Sequence, residues 1–342
     1  MVLDDGSMWG STKTDSTVER RQFIKALGVG ATVGATGVTG AAGQQSEFPS
    51  GEIRLIVPWA AGGGTDRTAR KLASLAENQT DASYFVTNIT GGSGSAGFRR
   101  AANAKPDGTT VGVLTVEVCT ISHLNISNIR PDDFAPVMQY NFDPASLTVH
   151  QDAPYDTVEG FVKHVKNQSG QLAFSNSGIG AIWHLSAAMF AQEAGISNKV
   201  KHVGYDGGAP AAKAVASGEV DATTTSAAEV APLVKDGPLK ILGVMGENRV
   251  NIFPETKTLQ EQGFNVKSGA WRGLGVPVKT PENRVNALNE AFKSVYDSKE
   301  FKTFMKNNGF GMVYRSSDEY DQFMQSEYKR FGDLIKTLGI GQ

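Results

Sequence analysis

Short apolar runs alternate with amphipathic stretches through the first part of the chain. Continuous apolar runs predict three strands, at residues 53–57, 84–89 and 110–116. Apolar side chains spaced as on one helix face predict two helices between them, at residues 65–77 and 95–104. Because strands and helices alternate, this segment predicts a parallel sheet with helices on both faces.

The same alternation begins again after Pro154. It predicts four helices, at residues 157–166, 182–195, 209–217 and 227–235. It predicts four strands, at residues 172–175, 200–203, 220–225 and 239–244. After a further apolar run, three helices that return to the first half of the chain are predicted at residues 282–298, 301–308 and 317–338.

These patterns predict an α/β protein with two lobes, each a mostly parallel sheet flanked by helices, and a ligand cleft between the lobes. Residues 51–141 and 274–342 are expected to form the first lobe, and residues 142–273 the second. The chain then crosses between lobes twice, near residues 139–150 and 268–276. Paired crossovers of this kind are typical of a hinge.

The composition is that of a globular protein without a nucleic-acid partner. Of the 342 residues 40% are hydrophobic and 20% are charged, and the formal net charge is -2. The one cysteine, Cys119, excludes an intrachain disulfide, and its apolar surroundings predict that it is buried. The histidines lack the i, i+4 spacing of a helical metal pair. We therefore expect no metal and no cofactor, and we expect a monomer.

Residues 1–43 have the pattern of an export signal. Arg20 and Arg21 precede a stretch rich in glycine, alanine and valine, and polar residues follow that stretch. This order is typical of a twin-arginine signal, and the stretch is too short and too rich in glycine for a membrane span. The sequence thus predicts export to the periplasm, the cell surface or the medium. A disordered tail, or a leader retained as a weak anchor, is the alternative.

Three glycine-rich turns lie between a predicted strand and a predicted helix. They read Ala61-Gly62-Gly63-Gly64-Thr65-Asp66, Gly91-Gly92-Ser93-Gly94 and Asn176-Ser177-Gly178-Ile179-Gly180. Turns without bulky side chains let backbone N–H groups at a helix start face a ligand, and the helix dipole favours negative charge there. The turns therefore predict a small acidic ligand. The candidate contacts are Gly62, Gly63, Gly64, Thr65, Asp66, Gly92, Ser93, Gly94, Ser177 and Gly178.

Four more residues are candidates for the same site, and each has a structural alternative. His184 opens the helix after the third turn, where a ligand contact and a structural role are both open. Arg272 lies at a predicted crossover; it either grips a carboxylate with two parallel hydrogen bonds or pairs with a surface acid. Tyr205 and Gly207 precede a helix of the second lobe, where Tyr205 either closes over the ligand or packs.

Two weaker patterns keep an enzyme open as the alternative. Gly92-x-Gly94-x-x-Gly97 matches a dinucleotide-binding fingerprint followed by Glu117, but it lies after the second strand rather than the first. Ser177 and His184 suit a serine hydrolase, but no nucleophile turn of the α/β-hydrolase type is present. A receptor without catalysis is therefore preferred over an exported hydrolase or an NAD-dependent oxidoreductase.

A set of short motifs occurs in a fixed order from about residue 52 to the C-terminus. The motifs are Ile53-Arg54-Leu55-Ile56-Val57-Pro58, Ala61-Gly62-Gly63-Gly64-Thr65-Asp66, Pro106-Asp107-Gly108, Ser175-x-Ser177-Gly178 with His184-Leu185, Val203-Gly204-Tyr205-Asp206-Gly207-Gly208-Ala209-Pro210, Gly218-Glu219-Val220-Asp221 and Trp271-Arg272-Gly273-Leu274. Together they resemble the substrate-binding proteins of tripartite tricarboxylate transporters, also called the Bug receptor family. The ordered set is far more specific than any one motif.

The resemblance implies a two-lobed receptor that closes on a small carboxylate ligand and delivers it to integral-membrane transporter subunits. Di- and tricarboxylates, amino acids and aromatic acids are the expected ligands. The resemblance also implies that the loops at residues 62–66 and 91–94 hold the ligand through backbone amides and water, and that Ser177, Gly178, His184 and residues 205–208 complete the shell. A sensor subunit that binds the same acids is the alternative.

Two departures from the family pattern affect the ligand. Residues 178–181 are Gly-Ile-Gly-Ala where the family often has a hydroxyl residue. Residues 224–229 end in Glu229 where a Phe-Asp pair and a proline-bearing turn are more usual. Near the pocket, Glu229 disfavours a highly charged acid or recognises an ammonium group. The alternative is that Glu229 faces solvent.

Overall fold

The computed structural model describes residues 48–340, which contain eleven strands and nine α-helices. The strands are β1 (Ser50–Val57), β2 (Asp81–Asn88), β3 (Thr110–Thr115), β4 (Phe134–Pro144), β5 (Ser146–His150), β6 (Leu172–Asn176), β7 (Val200–Gly204), β8 (Ala222–Thr223), β9 (Leu239–Val244), β10 (Gly269–Pro277) and β11 (Met312–Arg315). The helices are α1 (Gly64–Glu77), α2 (Ser95–Ala102), α3 (Val158–Asn167), α4 (Ile182–Glu193), α5 (Gly208–Ala216), α6 (Ala227–Lys235), α7 (Glu282–Asp297), α8 (Lys299–Asn308) and α9 (Ser317–Leu338). The predicted twin-arginine leader lies outside the described residues.

Two sheets organise the described part of the chain. The first has the strand order β11-β4-β10-β3-β1-β2, and the second has the order β7-β6-β8-β5-β9. The predicted α/β class with two lobes is confirmed, but both sheets are mixed rather than mostly parallel. β1 pairs in parallel with β2 and β3, whereas β10 runs antiparallel to β3 and β4. Of the antiparallel strands, β4, β5 and β10 adjoin the points where the chain crosses between lobes, whereas β11 lies between α8 and α9.

Four strands were not predicted from the sequence, namely β4, β5, β10 and β11. In β4, Gln139, Asn141 and Asp143 interrupt the apolar pattern, although all three side chains are buried. Buried polar groups are retained where they have hydrogen-bond partners, and a binary pattern of apolar and polar residues does not show such partners. This polar row of β4 lies beside β10 and contributes to the site described below.

Three chain segments lie side by side where the two sheets join. The Ala145 N–H donates to Ser268 O at 2.9 Å, and the Met245 N–H donates to Ala145 O at 2.7 Å. The Ser268 N–H in turn donates to Met245 O at 2.9 Å. The connection between the sheets is therefore a narrow, hydrogen-bonded strip on which each sheet can pivot.

The C-terminal helix α9 closes the first sheet on one face. Trp271 of β10 is buried and packs edge-on against Tyr320 and Phe323 of α9. Its indole N–H donates to Glu327 Oε2 at 3.1 Å. A Cβ at Gly273 would overlap the ring of Tyr320, so this close approach requires glycine. No helix among residues 48–340 is long and apolar enough to cross a membrane.

Candidate ligand-binding site

The glycine turns of both sheets meet at one edge. The β1–α1 and β2–α2 turns belong to the first sheet, and the β6–α4 and β7–α5 turns belong to the second. Carboxyl ends of parallel strands share an edge, and clefts form there in α/β proteins. The Ala60 N–H donates to Asp206 O at 2.9 Å, and Ser93 Oγ donates to Ile179 O at 2.7 Å. These hydrogen bonds join the turns of one sheet directly to those of the other.

An outer cavity of about 560 Å³ lies between the turns. Six of the predicted contacts line it, namely Gly92, Ser93, Gly94, Ser177, Gly178 and Tyr205. Trp59, two residues before the first glycine turn, also lines it and was not predicted. The volume suits a small metabolite. The lining is rich in glycine, and this exposes backbone groups rather than side chains to the cavity.

A much smaller inner cavity continues toward the first sheet. Its volume is about 20 Å³, which is room for about one water molecule. Predicted contacts in its wall are Gly63, Thr65, Ser177 and Arg272. Gly208, which belongs to the expected shell at residues 205–208, also lines it, and so does Glu229. Residues that the sequence did not place in the site are Trp59, Thr115, Glu117, Ile182, Trp183 and Ala270. Ser177 and Trp59 line both cavities and mark the boundary between them.

Arg272 is buried and held by groups of the protein itself. Its Nε donates to Thr65 Oγ1 at 2.9 Å, and its Nη1 donates to Asn141 Oδ1 and Asp143 Oδ2 of β4. Burial would lower the pKa of Arg272, but the nearby carboxylates of Asp143 and Glu229 outweigh burial and raise it. Arg272 thus pairs with an acid, as the structural alternative held, but that acid is buried rather than on the surface.

The carboxylate of Glu229 occupies the start of α1. The Gly64 N–H donates to Glu229 Oε1 at 2.9 Å, and Arg272 Nη2 lies 3.7 Å from the same oxygen. A Cβ at Gly208, the first residue of α5, would lie 2.7 Å from Oε1. Glu229 therefore does not face solvent; its side chain is 4% exposed and fills a slot between glycines of both sheets. The first glycine turn binds an anion, and here that anion belongs to the chain.

Glu117 makes the reciprocal contact at the start of α4. Its Oε1 accepts a hydrogen bond from the Ile182 N–H at 2.9 Å, and its Oε2 accepts one from Thr115 Oγ1. Trp59 Nε1 donates to the same Thr115 hydroxyl oxygen at 3.2 Å. Burial raises the pKa of Glu117, and the hydrogen bonds offset only part of that rise. Glu117 follows β3 of the first sheet, so a carboxyl group of each lobe lies on a helix start of the other.

Two predicted contacts shape the turns without lining either cavity. Asp66 accepts hydrogen bonds from the Gly62 N–H and Asn88 Nδ2, both at 2.9 Å. Burial would raise the pKa of Asp66, but Arg70 and these donors outweigh burial and lower it. His184 Nδ1 accepts from the Gly180 N–H at 3.0 Å. Burial, together with the charge of a protonated His202, lowers the pKa of His184 to about 3, so this imidazole is neutral.

The remaining predicted contacts divide between the cavities and their surroundings. Gly62, Gly64 and Gly207 lie beside the cavity walls rather than in them. Tyr205 lines the outer cavity, but its hydroxyl donates to Glu219 Oε1 at 2.7 Å. The Ser177 hydroxyl is buried and has no hydrogen-bond partner among residues 48–340. It is therefore the side chain in the cleft most in need of a partner.

A signal for some of the missed residues exists in the sequence. Trp59 lies between a predicted strand and its glycine turn, a position that faces the cleft in any parallel arrangement. Glu117 occupies the same kind of position after β3. Ile182 and Trp183 open α4, beyond the third glycine turn. Positions after strand ends thus indicate Trp59 and Glu117, which the glycine motifs alone do not.

The described residues hold no cluster of three or more metal-ligating side chains.

A sequence profile described as the tripartite tricarboxylate transporter family receptor, TctC, matches residues 68–340. A protein encoded in the gbd 5' region of Cupriavidus necator is 27% identical over 328 residues, covering 95% of this chain and 99% of that protein.

Solved structures agree with the profile. A TctC solute-binding protein from Polaromonas, without ligand, is 34% identical with a TM-score of 0.63, covering 85% of this chain and 99% of that chain. MatC from Rhodopseudomonas palustris, with bound malate, is 26% identical with a TM-score of 0.79, covering 84% of this chain and 100% of that one. These proteins are receptors rather than enzymes, which confirms the preference for a receptor. The chain belongs to the tripartite tricarboxylate transporter receptor family.

Proposed function

We propose that the protein binds a small organic acid in the outer cavity and delivers it to the membrane subunits of a tripartite tricarboxylate-type transporter. The observation that carries this proposal is the cavity of about 560 Å³ between glycine turns of two sheets, in a chain of the TctC family. Helix starts and bare backbone amides at such turns favour an anion. The malate bound in MatC is an acid of the proposed kind.

Capture requires no covalent chemistry. The acid docks on the turns of the first sheet, and the lobes pivot about the strip at Ala145, Met245 and Ser268. Groups of the second sheet, Ser177 and Gly178 among them, then complete the shell. The ligand acts by stabilising the closed form, and the permease recognises that form. We propose that residues 51–141 and 274–342 form one lobe and that residues 142–273 form the other. The two boundaries between the lobes then fall within β4 and β10.

We further propose that residues 1–43 direct export through the twin-arginine route and that the mature protein is an extracytoplasmic monomer. The support is Arg20 and Arg21 ahead of the apolar stretch. Fused to a reporter that is exported only when folded, residues 1–43 should place the reporter outside the cytoplasm. Replacement of both arginines by lysine should abolish that export, and export that persists would exclude the twin-arginine route.

Thermal unfolding of the protein from residue 44 onward tests the ligand. The panel is malate, succinate, adipate, citrate, glutamate and benzoate, with NAD as the probe of the enzyme alternative. A ligand that binds only the folded state adds about 2.7 kcal/mol at a hundredfold excess over Kd, so a true ligand raises Tm by several degrees. A shift with an organic acid supports the proposal, and a shift with NAD alone contradicts it.

A further inference from the structure

Glu229 lies where the fold concentrates positive potential. Its Oε1 accepts from the Gly64 N–H in the first turn of α1 and lies 3.7 Å from Arg272 Nη2. The Gly208 backbone at the start of α5 approaches it so closely that a Cβ there would lie 2.7 Å from Oε1. Two helix starts and a guanidinium are the groups that bind a carboxylate of a small ligand. In this chain they bind a carboxylate that is covalently part of α6.

The charges around the inner cavity are already matched. Arg272 contacts Asp143 and Glu229, and Arg67 is close enough to interact electrostatically with both carboxylates. Glu117 adds a third carboxyl group to the lining of the same cavity. A ligand carboxylate placed here would have no unmatched cation and would face like charges at short range. The cavity volume of about 20 Å³ also leaves no space for it.

The outer cavity, in contrast, has space for a ligand and a hydroxyl group that lacks a partner in the described part of the chain. The buried Ser177 hydroxyl lines it without a hydrogen-bond partner among residues 48–340. The Gly92–Gly94 turn lines it as well, and α2 begins at Ser95 directly behind that turn. A single carboxylate docked there gains donors and the favourable end of a helix dipole. Trp59 and Ser177 line both cavities, so a ligand that extends inward from there approaches the inner wall that contains Glu229.

We propose that Glu229 takes the place of a second ligand carboxylate, so that this receptor selects acids with one carboxylate over the corresponding dicarboxylates. The inference rests on the proposed function and concerns the same cleft. It makes Glu229 a specificity-determining residue: its charge and its volume both exclude a second anionic group from the start of α1. Neutral and cationic groups at the far end of the ligand remain compatible with its carboxylate.

Matched ligand pairs test the proposal by calorimetry. The probes are malate and malamate, succinate and succinamate, and adipate and adipamate, since each pair differs only by one carboxylate replaced with an amide. The variants are Glu229→Ser, which removes both charge and volume, and Glu229→Gln, which removes only charge. The exposed Glu290 on α7 supplies the control, because Glu290→Gln changes net charge as Glu229→Gln does and Glu290 lines neither cavity.

The wild-type protein should bind a monoamide about tenfold or more tightly than its dicarboxylate. Glu229→Ser should shift that ratio toward the dicarboxylate by about tenfold or more. Glu229→Gln should shift it in the same direction by a smaller factor, and Glu290→Gln should leave it unchanged. If the wild type and Glu229→Ser have the same ratio of affinities for a monoamide and its dicarboxylate, this inference is overturned and the proposed function is not. Binding of none of the six acids by any form overturns the proposed carboxylate function as well.

Discussion

Arg272 shows how one buried side chain organises the cleft. It holds Thr65 of the first glycine turn, two polar residues of β4 and, at longer range, Glu229. Its side chain is 2% exposed and that of Asp143 is 1% exposed, so neither charge is solvated. Removal of one partner from such a pair leaves the other charge buried and unmatched. The stability of this part of the fold therefore depends on Arg272.

Arg272→Ala should destabilise the protein by about 3–5 kcal/mol, because Asp143 loses its cation. Chemical denaturation of the ligand-free protein measures this loss. The control is Arg249→Ala, which breaks an ion pair with Glu261 at 2.8 Å between more exposed side chains and should leave Tm nearly unchanged. An Arg272→Ala variant as stable as Arg249→Ala would show that Arg272 is not needed to balance Asp143.

Glu117 should make the stability of the protein depend on pH. Burial raises its pKa in the folded state above the ordinary value of 4.5, so its contribution to stability is complete below that value and is lost as pH rises through the raised pKa. Glu117→Gln keeps an acceptor for the Ile182 N–H and does not titrate. The Tm difference, wild type minus Glu117→Gln, should therefore fall from pH 4.5 to pH 8. A difference that is flat or rises with pH would contradict this.

Helices and strands with a clear apolar period were predictable, and those without one were not. α6 and β9 have the predicted bounds, and so does α9. β4 was missed because its buried polar residues are satisfied by partners distant in sequence, such as Arg272, 129 residues from Asp143. The glycine turns were predicted together with α1 and α2, because each turn lies between an apolar run and an amphipathic stretch.

The carboxylates that bind at the glycine turns could not be predicted in the same way. Glu229 reaches Gly64 across 165 residues, and Glu117 reaches Ile182 across 65 residues. Neither carboxylate has a local pattern that specifies its partner, because the contact exists only once the two sheets face each other. The sequence therefore identifies where an anion binds but not which anion is present.

The start of α1 tolerates a side chain at one glycine and not at the next. A Cβ at Gly64 would lie 2.5 Å from Arg272 Nη2 and 3.0 Å from Glu229 Cγ, whereas a Cβ at Gly63 meets Glu229 Oε1 at an ordinary 3.5 Å. Gly64→Ala should destabilise by about 1–3 kcal/mol through overpacking. Gly63→Ala, the neighbouring control, should change stability much less. Equal Tm values for the two variants would contradict the tight fit of α1 against Arg272.

The two lobes contact each other through many short hydrogen bonds around the cleft. Ala60 bonds Asp206, Ser93 bonds Ile179, and the two glutamates bond helix starts across the boundary. A ligand that enters the outer cavity must pass these contacts, so exchange requires the lobes to separate. The strip at residue 145 is the connection about which such separation can occur.

A disulfide across the mouth of the cleft should block ligand exchange. A Cβ at Gly178 would lie 3.6 Å from Ser93 Cβ, within the range of about 3.5–4.5 Å for a disulfide. The native Cys119 should not compete, because it is buried and burial raises the pKa of its thiol. Ligand dissociation from oxidised Ser93→Cys/Gly178→Cys, followed by stopped flow, should be at least about tenfold slower than after reduction.

Two controls distinguish the effect of the cross-link on ligand exchange from the effect of backbone strain at the substituted residues. Gly178 has φ +112°, a conformation unfavourable for cysteine, so Gly178→Cys alone measures that cost. Mass spectrometry establishes that Ser93→Cys and Gly178→Cys are joined to each other rather than to Cys119. The single variant should exchange ligand at the same rate with or without reductant. If the joined protein exchanges ligand as fast as its reduced form, then the lobes need not separate at this edge and the ligand enters by another route.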